Sequence, residues 1–302
     1  MKFNTTLPNG VFTACLTPLK KDLSVDFDAL TAHCKWLLSK GGDGILLLGT
    51  TGEANSFTVE ERLEIMDKVI EAGIPGNRLL MGTGCCAYPD TARLTKHAVE
   101  RGAGGILMLP PFYYKQVDDA GLARYFDLVI NAVNDERLRI YLYHFPQMSA
   151  IPFSTPLVKN LVRQYPGTVV GMKDSSGEWS HMEEILRDIP GFKIYAGTER
   201  LLLRTLRQGG AGCISATTNA TIRMAAELYR NWQADQADSL QEHLTRVRTA
   251  FDGYPLTPVL KQMFFEWTGD PAWLNIRPPS ALQEKETIKI LSENLKKLGF
   301  SI

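Results

Sequence analysis

The first chemical clue is a lysine set in an apolar run, V-V-G-M-K-D-S-S-G, where Lys173 follows four small or apolar residues. On a buried strand an ammonium is desolvated, which favours the free amine. A free amine attacks a ketone to give an imine, and the protonated imine is an electron sink. The competing reading is a strand-end lysine that reaches solvent or pairs with Asp174. A second segment, L-L-G-T-T-G-E-A, places two glycines around Thr50 and Thr51. Glycines let the backbone approach a small anion, and free N–H groups with two hydroxyls suit a carboxylate; a plain tight turn is the alternative. A third, Y-L-Y-H-F-P, ends on Tyr143 and His144. A phenol there could pass protons to and from a substrate, or be a packed core tyrosine. A fourth, L-P-P-F-Y-Y-K, puts Tyr113 and Tyr114 in a loop after a Pro-Pro stop, as an interface or a pocket wall.

These segments lie at the ends of short apolar runs that recur along the chain. The runs are Gly10–Leu19, Gly44–Thr50, Arg78–Gly84, Gly104–Pro110, Arg139–Pro146, Val169–Ser175, Phe192–Thr198 and Gly212–Thr218. They do not alternate, as expected of strands buried on both faces of a parallel sheet. Amphipathic stretches separate them, including Thr58–Ala72, where Thr58 and Glu61 form a capping-box pattern. Others are Asp90–Arg101, Asp118–Val133, Thr155–Tyr165, His181–Asp188 and Arg200–Gln208. Eight strand–helix units predict a (β/α)8 (TIM) barrel, whose active site lies at the C-terminal ends of the strands. Residues from about 222 to 266 read as helices without strands between them, and a last helix is expected near Ser280–Leu298. The expected division is a barrel over 1–222 and a C-terminal helical extension over 223–302, packed on the barrel.

Composition excludes several classes. Lys+Arg and Asp+Glu are both 33 in 302 residues, so the net charge is zero. No electrostatic footprint for nucleic acid or an acidic membrane surface follows from that balance. The five cysteines, Cys15, Cys34, Cys85, Cys86 and Cys213, show no C-x-x-C spacing and are expected to be reduced and mostly buried. The start, M-K-F-N-T-T-L-P-N-G, lacks the apolar core of a signal peptide. No apolar run approaches the roughly 20 residues of a membrane span. A soluble, cytoplasmic protein is expected.

Taken together, G-T-T-G-E at 49–53, Y-x-x-P at 143–146 and G-M-K-D at 171–174 resemble the dihydrodipicolinate synthase and N-acetylneuraminate lyase family of class I aldolases. The likeness runs from the T-P-L near Thr17 to the C-terminal helices. It implies an imine on Lys173 and proton transfer by Tyr143. Thr50 and Thr51, after Gly49, would bind the substrate carboxylate. Tyr113, or Tyr114 beside it, would reach across from a neighbouring subunit of a homotetramer to complete a proton relay. Gly197 and Ile214 would line the pyruvate pocket. Apart from the resemblance, His144 is expected to meet the substrate, because a neutral imidazole suits the hydroxyls of a sugar-like aldehyde. No metal or cofactor is implied, because the iminium is the electron sink.

One departure bears on substrate. The synthases typically place an arginine five residues after this tyrosine, to hold the second substrate's carboxylate; here Met148 stands there. A methionine cannot make that contact. Lyases of the same group usually read Y-N-x-P-A, so His144 and Gln147 fit neither pattern. The sequence therefore points to a pyruvate-forming aldolase or lyase for a 2-oxo acid, with a 2-keto-3-deoxy sugar acid as the expected substrate. Dehydration of such an acid by the same imine chemistry is the alternative, and a synthase with another group in place of the arginine is a third. Arg277 is one arginine that could fold in.

Overall fold

The computed structural model describes residues 7–302. Eight parallel strands close on themselves in sequence order: β1 Gly10–Ala14, β2 Gly44–Leu47, β3 Leu79–Gly82, β4 Gly105–Met108, β5 Ile140–His144, β6 Val169–Asp174, β7 Lys193–Ala196 and β8 Gly212–Ser215. β8 returns to β1 with Gly10 opposite Gly212. Every strand is apolar on both faces because both faces are covered. In β2, Ile45 and Leu47 pack outward under the helices, while Leu46 joins Phe12, Leu80, Tyr141 and Tyr195 inside the barrel. Each such leucine removed from water contributes about 1.5–3 kcal/mol.

The connecting helices are α1 Phe27–Ser39, α2 Val59–Glu71, α3 Tyr88–Glu100, α4 Asp119–Val133, α5 Pro146–Ser149, α6 Thr155–Gln164, α7 Trp179–Asp188, α8 Leu202–Arg207 and α9 Thr218–Arg230. Thr58 caps α2, with the reciprocal Glu61 contact formed at 2.8 Å and 3.2 Å. Asp26, Asp118 and Ser154 cap α1, α4 and α6 in the same way, each oxygen accepting a backbone N–H three residues on. α1 was not singled out by its sequence, although Asp26 marks its start. Asn219, at the start of α9, ties down the C-terminal end of β1: its amide nitrogen donates to the Ala14 carbonyl (2.8 Å) and its amide oxygen accepts from the Leu16 N–H (3.2 Å).

The expected division at 222/223 falls inside α9, which packs on β1. We propose that the extension is better counted from α10 Ala237–Thr249, followed by α11 Leu256–Thr268 and α12 Lys285–Lys297. Its core of Val247, Phe251, Leu260, Met263, Trp273 and Leu291 includes Leu16 and Ala220 of the barrel. No helix among the described residues is long and apolar enough to cross a membrane. Cys15, Cys34 and Cys213 are buried and free, as expected, but Cys85 is half-buried and Cys86 exposed. Those two sit in the loop after β3, where apolar neighbours do not guarantee burial. The opening residues, on which the signal-peptide reading rests, lie largely outside the described residues.

Candidate active site

Sheet register places the chemistry. Tyr143 of β5 pairs with Lys173 of β6, so two neighbouring side chains point into the same barrel mouth. Gly171 permits this, because a Cβ there would lie 2.5 Å from the Tyr141 ring, which crosses its strand. Lys173 Nζ stands 3.3 Å from the Tyr143 hydroxyl, and 4.4 Å from the centre of its ring. That hydroxyl in turn lies 3.5 Å from Thr50 Oγ1, a long contact. Lys173 is 4% exposed and, among the described residues, makes no ion pair. The pairing with Asp174 does not form, because strand alternation turns that carboxylate to the outer face.

On that outer face Asp174 meets His181 (Nδ1 to Oδ2, 2.6 Å) and accepts from the Ser176 N–H and hydroxyl. The other His181 nitrogen lies 2.9 Å from the Phe153 carbonyl, so both ring nitrogens face acceptors. Burial alone would push this imidazole down, but Asp174 more than offsets it and holds it above the ordinary histidine range. His144 stacks on His181 at 4.1 Å and accepts the Phe153 N–H at Nδ1 (3.1 Å). Burial pushes His144 down to about 4, against the pull of Asp174. The three groups bring ligand atoms within 4.8 Å of one another, yet each is already engaged by a protein partner. They read as a pin that fixes the ends of β5 and β6.

The loop after β2 closes the mouth opposite. Leu48 and Glu53 both have positive φ (56° and 58°), bracketing Gly49–Gly52. Left-handed backbone at non-glycine residues costs on the order of 1–3 kcal/mol each and gathers at functional sites. Glu53 is held there by the buried Lys261 ammonium of α11 and by the Arg277 N–H (2.9 Å). Across the barrel, Gly197 brings its N–H to the Asp174 carbonyl (2.6 Å); a Cβ there would sit 2.7 Å from that oxygen. Between these loops lies a cavity of about 590 Å³ that contains Lys173, Tyr143, Thr50, Thr51 and Gly197, with Met148 on one wall and Arg200 and Arg248 on another. That is an ordinary volume for a small-ligand site.

A family model described as Dihydrodipicolinate synthetase family matches residues 7–298. The chain belongs to that family. Membership makes it an enzyme of the pyruvate-dependent carbon–carbon lyase group, with the class I aldolase fold. Among its relatives, a DapA-like lyase of Chloroflexus aurantiacus is 33% identical over 286 residues, covering 94% of this chain and 95% of that one. The dihydrodipicolinate synthase of Agrobacterium tumefaciens str. C58 superposes with a TM-score of 0.89 at 33% identity, covering 96% of this chain and 99% of the other. YagE, a prophage protein of E. coli K12 solved in complex with pyruvate, gives a TM-score of 0.89 at 26% identity, over 97% and 99% of the two chains.

Within this family frame the expected residues fall into three groups. Lys173, Tyr143, Thr50, Thr51 and Gly197 converge on the cavity, and Gly49 lies beside it in a small hollow shared with Thr50 and Tyr143. His144 and Ile214 do not reach it. His144 is turned outward into the pin with His181, so its expected contact with substrate is corrected. Ile214 is 1% exposed in the packed barrel interior, and Ala216, two residues on, lines the cavity instead. Tyr113 and Tyr114 are 71% and 75% exposed and stand outside this chain's own cavity. Met148 faces the cavity as expected, while Arg277 does not enter it. The Arg277 guanidinium pairs with Glu61 and stacks on Phe57. Sequence reasoning missed Arg200, Arg248 and His181. Arg200 follows the seventh strand's end and was open to inference; Arg248 comes from the extension, and no local pattern aims it back at the mouth.

Proposed function

We propose that this enzyme is a Schiff-base aldolase or lyase that reversibly cleaves a 2-oxo acid, of the 2-keto-3-deoxy sugar acid type, to pyruvate and an aldehyde. The observation that carries the reading is Lys173: a buried amine with no carboxylate partner among the described residues, 3.3 Å from the Tyr143 hydroxyl. In the proposed reaction Thr50, Thr51 and nearby N–H groups hold the C1 carboxylate. Lys173 Nζ attacks C2 and water leaves, giving the iminium. Tyr143 accepts the proton of the C4 hydroxyl as the C3–C4 bond breaks, and the electron pair flows to the iminium nitrogen. The aldehyde departs. The enamine is protonated at C3, and water hydrolyses the imine to free pyruvate and Lys173. Positioning and proton transfer supply the rate.

Dehydration shares the first step, then removes the C3 proton to give the enamine and expels the protonated C4 hydroxyl as water, leaving C3–C4 intact. Incubation with keto-deoxy sugar acids, read by product mass, separates the two. Release of pyruvate with an aldehyde supports the aldolase; loss of one water without pyruvate supports the dehydratase.

We further propose a cytoplasmic homotetramer in which Tyr113, or Tyr114, of a neighbouring copy completes the proton relay beside Thr50. Two exposed tyrosines in one loop, with ring centres 5.3 Å apart, suit a protein contact. Free cysteines suit a reducing compartment. Sedimentation at micromolar concentration should give a tetramer; a monomer alone removes the relay from the mechanism.

A further inference from the structure

A second cavity, of about 480 Å³, lies between α1 and α11 and shares no lining residue with the catalytic one. Its walls are aromatic: Trp36 of α1, Phe264 and Trp267 of α11, and Trp273 just beyond. Phe264 meets Trp267 and Trp273 at 5.2 Å and 5.0 Å between ring centres, and Trp36 at 6.0 Å. Two titratable side chains, His33 and Asp270, stand among these rings. No lysine or arginine among the described residues lines the cavity.

The hydrogen bonds around His33 fix its tautomer. The Asn219 amide nitrogen donates to the carbonyls of Ala14 (2.8 Å) and Ala216 (2.7 Å), and its oxygen accepts the Leu16 N–H. That oxygen lies 2.9 Å from His33 Nε2. An amide oxygen cannot donate, so Nε2 carries the proton. Burial pushes the imidazole down to about 4, so at neutral pH it is uncharged and Nδ1 is an acceptor. Among the described residues nothing donates to Nδ1, although the side chain is only 5% exposed. The ring stands edge-to-face with Phe264 (4.7 Å) and Trp273 (5.0 Å). A buried acceptor without a donor costs free energy that a ligand's N–H would recover.

Asp270 supplies the complementary charge. It is half-buried, its Oδ1 accepts the Ala272 N–H (2.9 Å), and among the described residues it makes no ion pair. Indole and phenyl faces attract cations. One acid, one open acceptor and four aromatic rings, with no base, suit a cation that donates hydrogen bonds. A carboxylate on the same ligand would meet Asp270 and find no base, which selects against amino acids.

We propose that this cavity binds a free organic amine in its protonated form, with an apolar body and no acid group. The ammonium donates to His33 Nδ1 and lies against the indoles. Asp270 balances its charge, and the apolar body packs against Phe264.

Three of the five tryptophans of the chain line this cavity, so their fluorescence reports occupancy. Phenethylammonium, 2-phenylethanol and phenylalanine share one body and are titrated into the full-length protein at neutral pH, with calorimetry beside the fluorescence. Wild type should bind the ammonium at least about tenfold more tightly than the alcohol or the amino acid. Asp270→Asn keeps the oxygen that caps Ala272 and should remove most of that preference. His33→Phe keeps a ring but not Nδ1, and should weaken the ammonium and the alcohol alike by about tenfold. Should His33→Phe fail to fold, Asp270→Asn decides alone. Lys173→Ala should bind as wild type does, because the catalytic cavity takes no part. No saturable binding of phenethylammonium to wild type, equal affinity for the alcohol, a preference that survives Asp270→Asn, or loss of binding in Lys173→Ala overturns the amine site.

Discussion

Two buried lysines occupy different regions of this molecule, and their surroundings give them opposite characters. Lys261 sits under the extension, fully buried, donating to the Glu53 carboxylate and to the Asn275 carbonyl (2.9 Å). Burial pushes its ammonium down and Glu53 opposes that. Lys173 is buried almost as well in the barrel mouth, but its neighbours are a phenol and an aromatic ring. Burial alone therefore does not make a nucleophile. A carboxylate partner makes the first lysine a rivet between the loop after β2 and α11; its absence leaves the second free for a carbonyl.

The comparison breaks most visibly at the lysines themselves. Lys173→Met should abolish turnover while leaving the thermal midpoint at or above wild type, because no charged partner is stranded. A fall of several degrees would mean that Lys173 also carries structural weight. Next in size, Tyr143→Phe should still form the imine but turn over about 10²–10⁴ times more slowly. A loss under tenfold moves the proton shuttle to another group.

Lys261→Met should behave in the reverse sense. It strands Glu53 inside the protein, and unfolding free energy should fall by about 3–5 kcal/mol. The double variant Glu53→Gln/Lys261→Met should recover much of that loss in urea titrations. Equal stabilities for the single and double variants would show that the pair is not coupled.

The smallest effect concerns His33 under the extension, which burial pushes down to about 4 despite its contact with Asn219 (2.9 Å). A depressed histidine contributes its full stability above about pH 6.5, where folded and unfolded chains are both neutral there. As pH falls towards 4 the unfolded chain gains a proton that the folded one refuses. Stability should drop by up to about 3 kcal/mol from this group. His33→Gln should flatten the decline in urea midpoints between pH 7.5 and 4.5; an unchanged slope assigns the loss elsewhere.

Much of this was legible in the residues. Apolar runs without alternation announced strands covered on both sides, and a lysine and a tyrosine near the ends of adjacent strands needed only register to meet. Strand alternation also held the warning about His144: it sits on the face opposite Tyr143, so it joins Asp174 and His181 and not the substrate. The rest depended on long-range packing. Glu53 reads as the end of a turn motif, and its partner Lys261 is 208 positions away. Arg248 reads as one more charge on an amphipathic helix until the extension folds back and turns it towards the mouth.

The central claim is that Lys173 forms the imine. Wild type and Lys173→Ala should each be incubated with pyruvate and borohydride, digested, and read by peptide mass. The account predicts a reduced pyruvyl group on the peptide that contains Lys173 and none on the variant. Modification of another lysine in wild type, or trapping by the Lys173→Ala protein, would contradict it.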